Sequence, residues 1–287
     1  MRTSVLIVNP SSTRVTEERL AAVEAALPRT VTTIRTLAPG DATRLAQELD
    51  GTVEAIYVFS GDGTFNEVLN GVTGRTPLGF LPGGGTSVLP RALGLPRDPA
   101  RAAARLTTAR SRRIALGRVN GRRFGFSAGL GLDAELVRAV DRLGRRADGR
   151  RPGDLAFGRT AVGLLARRRF RLEPTIELEG VGRAAFVLAA NCMPYTYAGP
   201  IGLRFAPSAA FEGGLDVFAP ERLGPGSVPL LAWWSLGRGT RHVRAHDTDR
   251  LVLRCDTPTA LQVDGEDLGD VDEAVLEAER EAVTVLI

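Results

Sequence analysis

The chain has 287 residues, of which 44% are hydrophobic and 24% charged, so it has the composition of a globular protein of one or two domains. Its net charge is +4, and all 37 Lys+Arg residues are arginine. The absence of lysine excludes a GxxxxGK[ST] phosphate loop, a protein kinase with its third-strand lysine, and a Schiff-base enzyme.

The first hundred residues alternate between strand and helix patterns. Four short apolar or β-branched runs are predicted strands: Ser4 to Val8, Val31 to Thr36, Ala55 to Phe59 and Pro77 to Leu81. Three amphipathic or capped segments between them are predicted helices: Thr16 to Leu27, Asp41 to Leu49 and Thr64 to Asn70. This order predicts an α/β domain over residues 1–109, with a parallel sheet and helices on both faces.

Polar or glycine-rich turns follow the first, third and fourth predicted strands. They are Asn9-Pro10-Ser11-Ser12, Ser60-Gly61-Asp62-Gly63 and Gly83-Gly84-Gly85-Thr86. Open α/β sheets bind ligands beyond the carboxyl ends of their strands, so these turns are predicted to form a nucleotide crevice. Glycines let the backbone approach phosphate oxygens, and the helix that follows the second turn would attract them with its N-terminus.

The second turn carries a carboxylate, Asp62, between two glycines. A carboxylate would repel phosphate there, so it needs a bound metal ion or a proton-accepting role. Thr64 and Glu67 have a structural alternative, because T-x-x-E fits a capping box at a helix start. That alternative leaves Asp62 unexplained.

The second half of the chain has the pattern of antiparallel strands. A hairpin is predicted from Arg112 to Ser127, with its turn at Asn120-Gly121. Further strand-like runs are Thr175 to Glu179, Ala184 to Ala190, Leu215 to Phe218, Leu251 to Cys255 and Ala260 to Val263. They predict a β-sandwich over residues 110–281. A basic helical insertion is expected near residues 133–170, and the strand-like run at 282–287 is expected to return to the first domain.

Two more motifs in this half combine small residues with carboxylates. Ser127 to Ala134 is a small-residue loop that closes with Asp133, and its structural alternative is a helix cap at a strand-to-helix junction. Gln262 to Glu266 contains Asp264-Gly265, for which an ordinary hairpin turn is the favoured structural explanation.

The segment SGDGTFNEVLNG, from Ser60 to Gly71, resembles the GGDGTxNEVxNG signature of the diacylglycerol kinase catalytic domain superfamily. This superfamily includes soluble bacterial diacylglycerol kinases and sphingosine kinases. Other segments resemble its motifs in the same order: VNPSS, LPGGGTSVLPRALGLP, FSAGLGLDAELV and LQVDGEDLG. The resemblance implies an N-terminal domain that binds ATP and Mg²⁺ and a β-sandwich domain that binds a lipid.

The resemblance also implies roles for individual residues. The implied ATP contacts are Asn9, Pro10, Ser11, Ser12, Thr36, Gly61, Asp62, Gly63, Thr64, Asn66, Glu67, Gly84, Gly85 and Thr86. Asp62 would organise Mg²⁺ and the phosphates or serve as a base. Glu266, with Asp264 beside it, would take the proton of the lipid hydroxyl. Asp133 would touch the polar head of the acceptor.

Some positions depart from the family pattern. Ser60 stands for the first glycine of the signature, and Ser87 stands where an asparagine is usual. Leu89-Pro90 replaces Phe-Ala, and Ser11-Ser12-Thr13 lacks the glycine of the first-strand motif. At the turn where bacterial members hold a structural Mg²⁺, Glu212 replaces an aspartate.

The expected function is an ATP-dependent kinase of a lipid hydroxyl, on a diacylglycerol or a sphingoid base. The alternatives are a NAD kinase-like kinase of a soluble acceptor and a non-catalytic nucleotide- or lipid-binding regulator. The expected partner is a lipid at the membrane surface, with a homodimer left open. Leu230 to Trp234 is either an interfacial anchor or a core helix.

Nucleic acid is not an expected partner, because the sequence has neither zinc-finger spacing nor a basic stretch interleaved with aromatic residues. Two cysteines make no disulfide framework, and the N-terminal sequence lacks a signal-peptide pattern. A cytoplasmic protein, peripheral at the inner membrane face, is therefore expected.

Overall fold

The computed structural model describes residues 3–144, 154–238 and 240–287. The chain divides into two compact units, one of residues 3–116 with Arg280–Ile287 and one of Gly117–Glu279. Most of the arginine- and glycine-rich part of the predicted insertion, residues 145–153, lies outside the described residues. Among the described residues, no helix combines the length and the hydropathy that crossing a bilayer requires.

The first unit alternates strands and helices along the chain. Its elements are β1 (Ser4–Val8), α1 (Glu17–Ala26), β2 (Val31–Arg35), α2 (Asp41–Leu49), β3 (Ile56–Ser60), α3 (Asp62–Gly71), β4 (Leu78–Pro82), α4 (Val88–Ala92) and α5 (Pro99–Leu106). The strands are ordered β4-β3-β1-β2, and each neighbouring pair is parallel. The predicted α/β architecture with a parallel sheet is confirmed.

The inner strands of this sheet are buried along their whole length. Every residue of β1, β3 and β4 is buried, whereas β2 at the edge is only partly buried. A strand covered on both faces has no polar side, which is why the inner strands read as continuous apolar runs. Phe65 of α3 packs edge-on against Phe80 of β4, with ring centroids 5.1 Å apart.

The chain enters the second unit through β5 (Ser111–Val119). The elements that follow are β6 (Arg122–Phe124), β7 (Ser127–Leu130), α6 (Leu132–Asp141), α7 (Asp154–Arg167), β8 (Ile176–Leu178), β9 (Gly182–Ala184), β10 (Val187–Ala190), β11 (Thr196–Ala198), β12 (Ile201–Leu203), β13 (Leu215–Phe218), α8 (Val228–Ser235), β14 (Val243–Thr248), β15 (Arg250–Val263) and β16 (Glu266–Leu286). Short 3₁₀ turns lie at Pro225–Ser227 and Thr240–His242.

The strands of the second unit are ordered β14-β13-β10-β7-β15-β16, and these neighbours are antiparallel. The hairpin between β5 and β6 turns at Asn120 and Gly121, both with positive φ, as the Asn-Gly pair predicts. The two predicted runs from Leu251 to Val263 form the single strand β15. β16 ends in the first unit, where Val285 pairs in parallel with Leu78 of β4.

Helices α2 and α3 pack so closely that Gly71 has no room for a side chain. A Cβ there would lie 2.3 Å from the Thr43 carbonyl oxygen and 2.8 Å from the Ala46 Cβ. We expect Gly71→Ala to lower the free energy of unfolding by about 1–3 kcal/mol, as overpacking does, in a urea titration. Gly63→Ala on the same helix is the control, because nothing lies within 4 Å of its Cβ position. Equal losses in both variants would contradict this explanation.

Candidate functional site

Hydrogen bonds join the three predicted turns of the first unit, which we call the glycine-turn cluster (residues 9–12, 60–64 and 83–87). Asn9 Nδ2 donates to Thr64 Oγ1 at 2.9 Å, and the hydroxyls of Ser12 and Ser60 lie 2.7 Å apart. The Gly83 N–H donates to the Ser60 carbonyl oxygen at 2.6 Å. Because β1, β3 and β4 are parallel neighbours, their carboxyl ends bring these turns to one edge of the sheet.

The glycines of the cluster divide into two groups. A Cβ on Gly84 would lie 2.7 Å from the Gly61 Cα, and a Cβ on Gly83 would lie 2.8 Å from Val15 Cγ2. Gly84 is therefore required by contact between the turns, and Gly83 by contact with Val15 and with the Ser60 carbonyl oxygen. Gly63 and Gly85 have nothing within 4 Å of their Cβ positions, so packing does not explain them. They leave backbone accessible, as close approach to a phosphate requires.

The carboxylate of Asp62 holds the start of α4. Its Oδ2 accepts the N–H of Val88 at 3.0 Å, and its Oδ1 accepts the N–H of Leu89 at 3.2 Å. Asp62, which the capping box left unexplained, therefore has a structural role of its own. Both bonds reach the first residues of α4, 26 and 27 residues along the chain, so helix periodicity could not reveal them.

The structural alternative for Thr64 and Glu67, a capping box, is contradicted. Helix α3 starts two residues earlier than predicted, with Gly61 as its N-cap, so Thr64 lies inside the first turn. Glu67 Oε2 instead accepts the N–H groups of Gly40 and Ala42 at 3.1 and 3.2 Å, at the start of α2. Since Gly61 has no side chain, the first N–H groups and positive dipole of α3 remain suited to an anion.

The remaining implied ATP contacts differ in accessibility. Thr36 lies at the same sheet edge, where its N–H donates to the Val8 carbonyl oxygen at 2.9 Å. Pro10, Ser11 and Gly85 are exposed. Asn66 is buried in α3, where its amide oxygen accepts from Asn70 Nδ2 at 3.1 Å. A ligand at the turns would therefore meet residues of the turns more readily than Asn66.

Asp133 belongs to a polar cluster in the second unit, which we call the Asp133 cluster (Asp133, Tyr195 and Gln262). Asp133 Oδ2 accepts from the Tyr195 hydroxyl at 2.8 Å and from Gln262 Nε2 at 2.7 Å. Gln262 Nε2 also lies 3.0 Å from the Tyr195 hydroxyl. Gly129 makes room for the carboxylate, because a Cβ there would lie 2.0 Å from Asp133 Oδ2.

Burial controls the ionisation of this cluster. Burial raises the pKa of the Asp133 carboxyl, and the hydrogen bonds from Tyr195 and Gln262 only partly oppose that shift. Burial, and then the charge of Asp133, raise the pKa of the Tyr195 hydroxyl well above its usual value, so Tyr195 stays a hydrogen-bond donor at neutral pH. Tyr195 could not be predicted as a site residue from the sequence, because a single tyrosine after an apolar strand carries no motif.

The two acidic residues of the β15–β16 turn have different environments. The carboxylate of Asp264 accepts three backbone N–H groups, from Gly125 at 2.7 Å, Phe126 at 3.0 Å and Ser127 at 3.1 Å. Asp264 and Gly265 both have positive φ, so the structural explanation as a two-residue hairpin turn is confirmed. The Glu266 side chain is 51% exposed and pairs with Arg122 at 2.6 Å.

The turn that contains Glu212 has an unusual neighbour in Asp216. Glu212 is exposed, whereas Asp216 is buried. Asp216 Oδ1 bonds to His246 Nδ1 at 2.6 Å and to the Asp247 N–H at 2.9 Å, but its buried Oδ2 has no partner among the described residues. The described part of the chain contains no group of three His, Cys, Asp or Glu residues that could hold a metal ion. The structural Mg²⁺ implied at Glu212 stays a prediction.

Part of the sequence is similar to known diacylglycerol kinases. Residues 3–119 match the family described as diacylglycerol kinase catalytic domain. The chain is 40% identical to the diacylglycerol kinase of Bacillus subtilis (strain 168) over 147 residues, which are 48% of this chain and 48% of that protein. The chain thus spans about half the length of this curated relative.

Solved structures share the fold over almost the whole chain. A diacylglycerol kinase from Bacillus anthracis str. Sterne has a TM-score of 0.73 at 22% identity, over 99% of this chain and 96% of that chain. A NAD kinase from Archaeoglobus fulgidus in complex with ATP has a TM-score of 0.51 at 12% identity, over 99% of this chain and 94% of that chain. These likenesses confirm the predicted fold class.

Proposed function

We propose that the chain belongs to the diacylglycerol kinase catalytic domain family, whose model matches residues 3–119, and that it transfers the γ-phosphoryl group of ATP to the hydroxyl of a lipid. The observation that carries the proposal is the glycine-turn cluster, in which three turns are bonded together while Gly63 and Gly85 leave backbone open. Phosphoryl transfer asks a protein mainly for positioning and charge neutralisation, which such a cluster can supply.

The first unit would bind the triphosphate through backbone N–H groups, since the chain has no lysine to offer. The N-terminus of α3 adds positive potential at the same edge. Arginine would supply further positive charge, and Arg91 of α4 is one candidate, because its guanidinium reaches the Thr86 carbonyl oxygen at 3.5 Å. Without lysine, the site depends on backbone groups, hydroxyls, arginine and a metal ion.

Asp62 is the residue that would hold Mg²⁺ together with the phosphates. A nucleotide-bound Mg²⁺ typically takes one or two protein carboxylates and completes its shell with phosphate oxygens and water, so a larger acidic group is not needed. When bound, the ion would neutralise charge on the transferring phosphoryl group. The bonds from Val88 and Leu89 fix the orientation of the Asp62 carboxylate.

The second unit would bind the acceptor. The Asp133 cluster offers a carboxylate held at one oxygen by Tyr195 and Gln262, which suits hydrogen bonding to a lipid hydroxyl or ester. Glu266 is the stronger candidate for the base, because it is half-exposed, whereas both oxygens of Asp264 are bound to backbone N–H groups. A general base must be accessible to the proton that it removes.

The glycines of the cluster provide a test of nucleotide binding. We expect Gly63→Ala and Gly85→Ala to weaken ATP binding by roughly tenfold or more, because the added methyl groups would occupy space that the phosphates need. Stability should stay unchanged, because no other atom of the protein lies within 4 Å of either Cβ position. Gly84→Ala is the contrasting variant and is expected to lower stability through its contact with Gly61. Isothermal titration and urea unfolding measure the two effects. Unchanged ATP affinity in both open-glycine variants would contradict a nucleotide site here.

The activity itself is tested by incubating the protein with radiolabelled ATP and mixed micelles of extracted lipids, and identifying the product by mass. Detection of a phosphorylated lipid would support the proposal and identify the acceptor. ATP binding without transfer would instead indicate a regulator. A NAD kinase-like activity is the second candidate, since the fold is shared with an ATP-bound NAD kinase, and a parallel reaction with NAD as acceptor tests it.

A further inference from the structure

Helix α8 presents large apolar side chains to solvent. Leu230, Trp233 and Leu236 are 39%, 48% and 52% exposed, and their spacing of three residues places them along one side of the helix and its C-cap. Trp234 is only 4% exposed and packs against Phe218, with ring centroids 5.9 Å apart. The helix is therefore anchored to the second unit by one tryptophan while it exposes the other.

The segment that contains α8 is basic in sequence, and Arg244 within it pairs with Glu221, just outside it, at 3.9 Å. The Arg238 guanidinium lies 4.5 Å from the centroid of the Trp233 ring. Residues 222–246 contain Arg222, Arg238, Arg241 and Arg244 but no Asp or Glu, although the chain has 33 acidic residues. We call the exposed side chains of Leu230, Trp233, Leu236 and Arg238 the α8 surface.

The segment that contains β11 and β12 lies beside α8 and is also free of acidic residues. The Arg204 N–H donates to the Ser235 carbonyl oxygen at 2.6 Å, so the chain that follows β12 lies beside the end of α8. Residues 180–211, which include β11 and β12, also contain no Asp or Glu, and Ile201 of β12 is largely exposed. The two adjoining segments thus present apolar side chains bordered by arginine and contain no acidic residue. They complement a surface whose interior is apolar and whose exterior is anionic.

We propose that the α8 surface docks the protein on an anionic lipid bilayer. Tryptophan and leucine side chains enter the boundary between headgroups and acyl chains, and nearby arginines meet lipid phosphates. A second copy of this chain is a poorer occupant, because pairing two α8 surfaces would bring their arginines together without acidic partners. This inference rests on the proposed function, because a lipid kinase has to reach its acceptor in a membrane.

Vesicle co-sedimentation tests the surface directly. The probes are vesicles of phosphatidylcholine alone and of phosphatidylcholine with phosphatidylglycerol. We expect the protein to bind the anionic vesicles, and the double variant Trp233→Ser/Leu236→Ser to bind them roughly tenfold or more weakly. Leu37→Ser, at a 92% exposed leucine of the first unit, is the matched control and should bind as the unaltered protein does. Urea unfolding verifies that all variants are folded.

Tryptophan fluorescence supplies a second measurement, because the chain has only Trp233 and Trp234. In Trp234→Phe the emission of Trp233 should shift to shorter wavelength with anionic vesicles and be quenched by brominated acyl chains. If that variant does not fold, bromolipid quenching of the unaltered protein reports the same insertion. Absence of both the shift and the quenching would overturn the proposal.

Activity on a monomeric short-chain diacylglycerol separates this inference from the proposed function. The Trp233→Ser/Leu236→Ser variant should keep activity on the monomer and lose it on vesicles. Vesicle binding through the α8 surface by a protein that phosphorylates no lipid would support docking and reject the lipid kinase. Equal vesicle binding by the double variant and the unaltered protein, or a dimer that the double variant disrupts, would overturn docking.

Discussion

Asp62→Asn is expected to reduce ATP-dependent lipid phosphorylation by about 100-fold or more, because asparagine removes the negative charge that would hold Mg²⁺ with the phosphates. The variant should also lose some stability. One oxygen still accepts an N–H of Val88 or Leu89, but the new amide N–H faces the other donor. A stability loss of about 1–3 kcal/mol is typical of one such unsatisfied group.

The measurement has to separate the two effects of this substitution. In Asp62→Asn, the ATP affinities measured with and without Mg²⁺ should be equal. Turnover should fall even under conditions where the variant is fully folded. Gly71→Ala is the stability-matched control, since it loosens the same helix away from the turns. If Asp62→Asn keeps normal turnover, or loses only as much as Gly71→Ala, Asp62 serves only to anchor α4.

Replacing each acid of the β15–β16 turn by its amide should affect a different property, stability for Asp264 and turnover for Glu266. Asp264→Asn is expected to lower the free energy of unfolding by about 2–4 kcal/mol, because a buried acceptor of three backbone N–H groups becomes partly a donor. Glu266→Gln should change stability by less than about 0.5 kcal/mol, since its pair with Arg122 is exposed. Both variants keep the size of the original side chain.

Turnover completes that comparison. Glu266→Gln is expected to lose lipid phosphorylation by about 100-fold or more while ATP binding is retained, as loss of a general base predicts. Urea unfolding, isothermal titration with ATP and the radiolabel assay measure stability, binding and chemistry separately. Full turnover in Glu266→Gln, together with an inactive but well-folded Asp264→Asn, would transfer the role of base to Asp264.

Local chemistry explains which parts of the fold could be predicted. Continuous, mostly apolar runs identified β1, β3 and β4, because a strand buried on both faces has no polar side. The pairs Asn120-Gly121 and Asp264-Gly265 identified two hairpins, because few residue pairs accept two successive positive φ values. The parallel order then placed the polar turns at one edge of the sheet.

Partners far apart in sequence explain what could not be predicted. Glu67 caps a helix that starts 26 residues earlier, and Asp264 binds backbone that lies 137 to 139 residues earlier. Tyr195 reaches Asp133 across 62 residues. These contacts could not be predicted from the sequence, because a helix or strand pattern does not record which distant N–H group or hydroxyl a side chain meets.

One departure from the family pattern gains a physical explanation. Ser87 has a left-handed backbone, with φ 49°, and its Oγ accepts the Gly84 N–H at 3.1 Å. Asparagine is the residue that most readily combines that backbone with a local side-chain bond, which fits its usual presence in the family. Serine keeps the side-chain hydrogen bond to the Gly84 N–H, but it adopts the left-handed backbone less readily than asparagine does. Leu89 and Pro90, the other departure nearby, are simply buried.

Strand β16 has a consequence for biosynthesis. The first unit takes its last strand from residues 280–287, whereas the rest of it ends at residue 116. The second unit is inserted between them, so the ribosome must release the whole intervening segment before the parallel sheet is complete. Nascent chains of the first 116 residues would leave the edge of β4 open to foreign strands, and chaperone protection during translation should matter most at that stage.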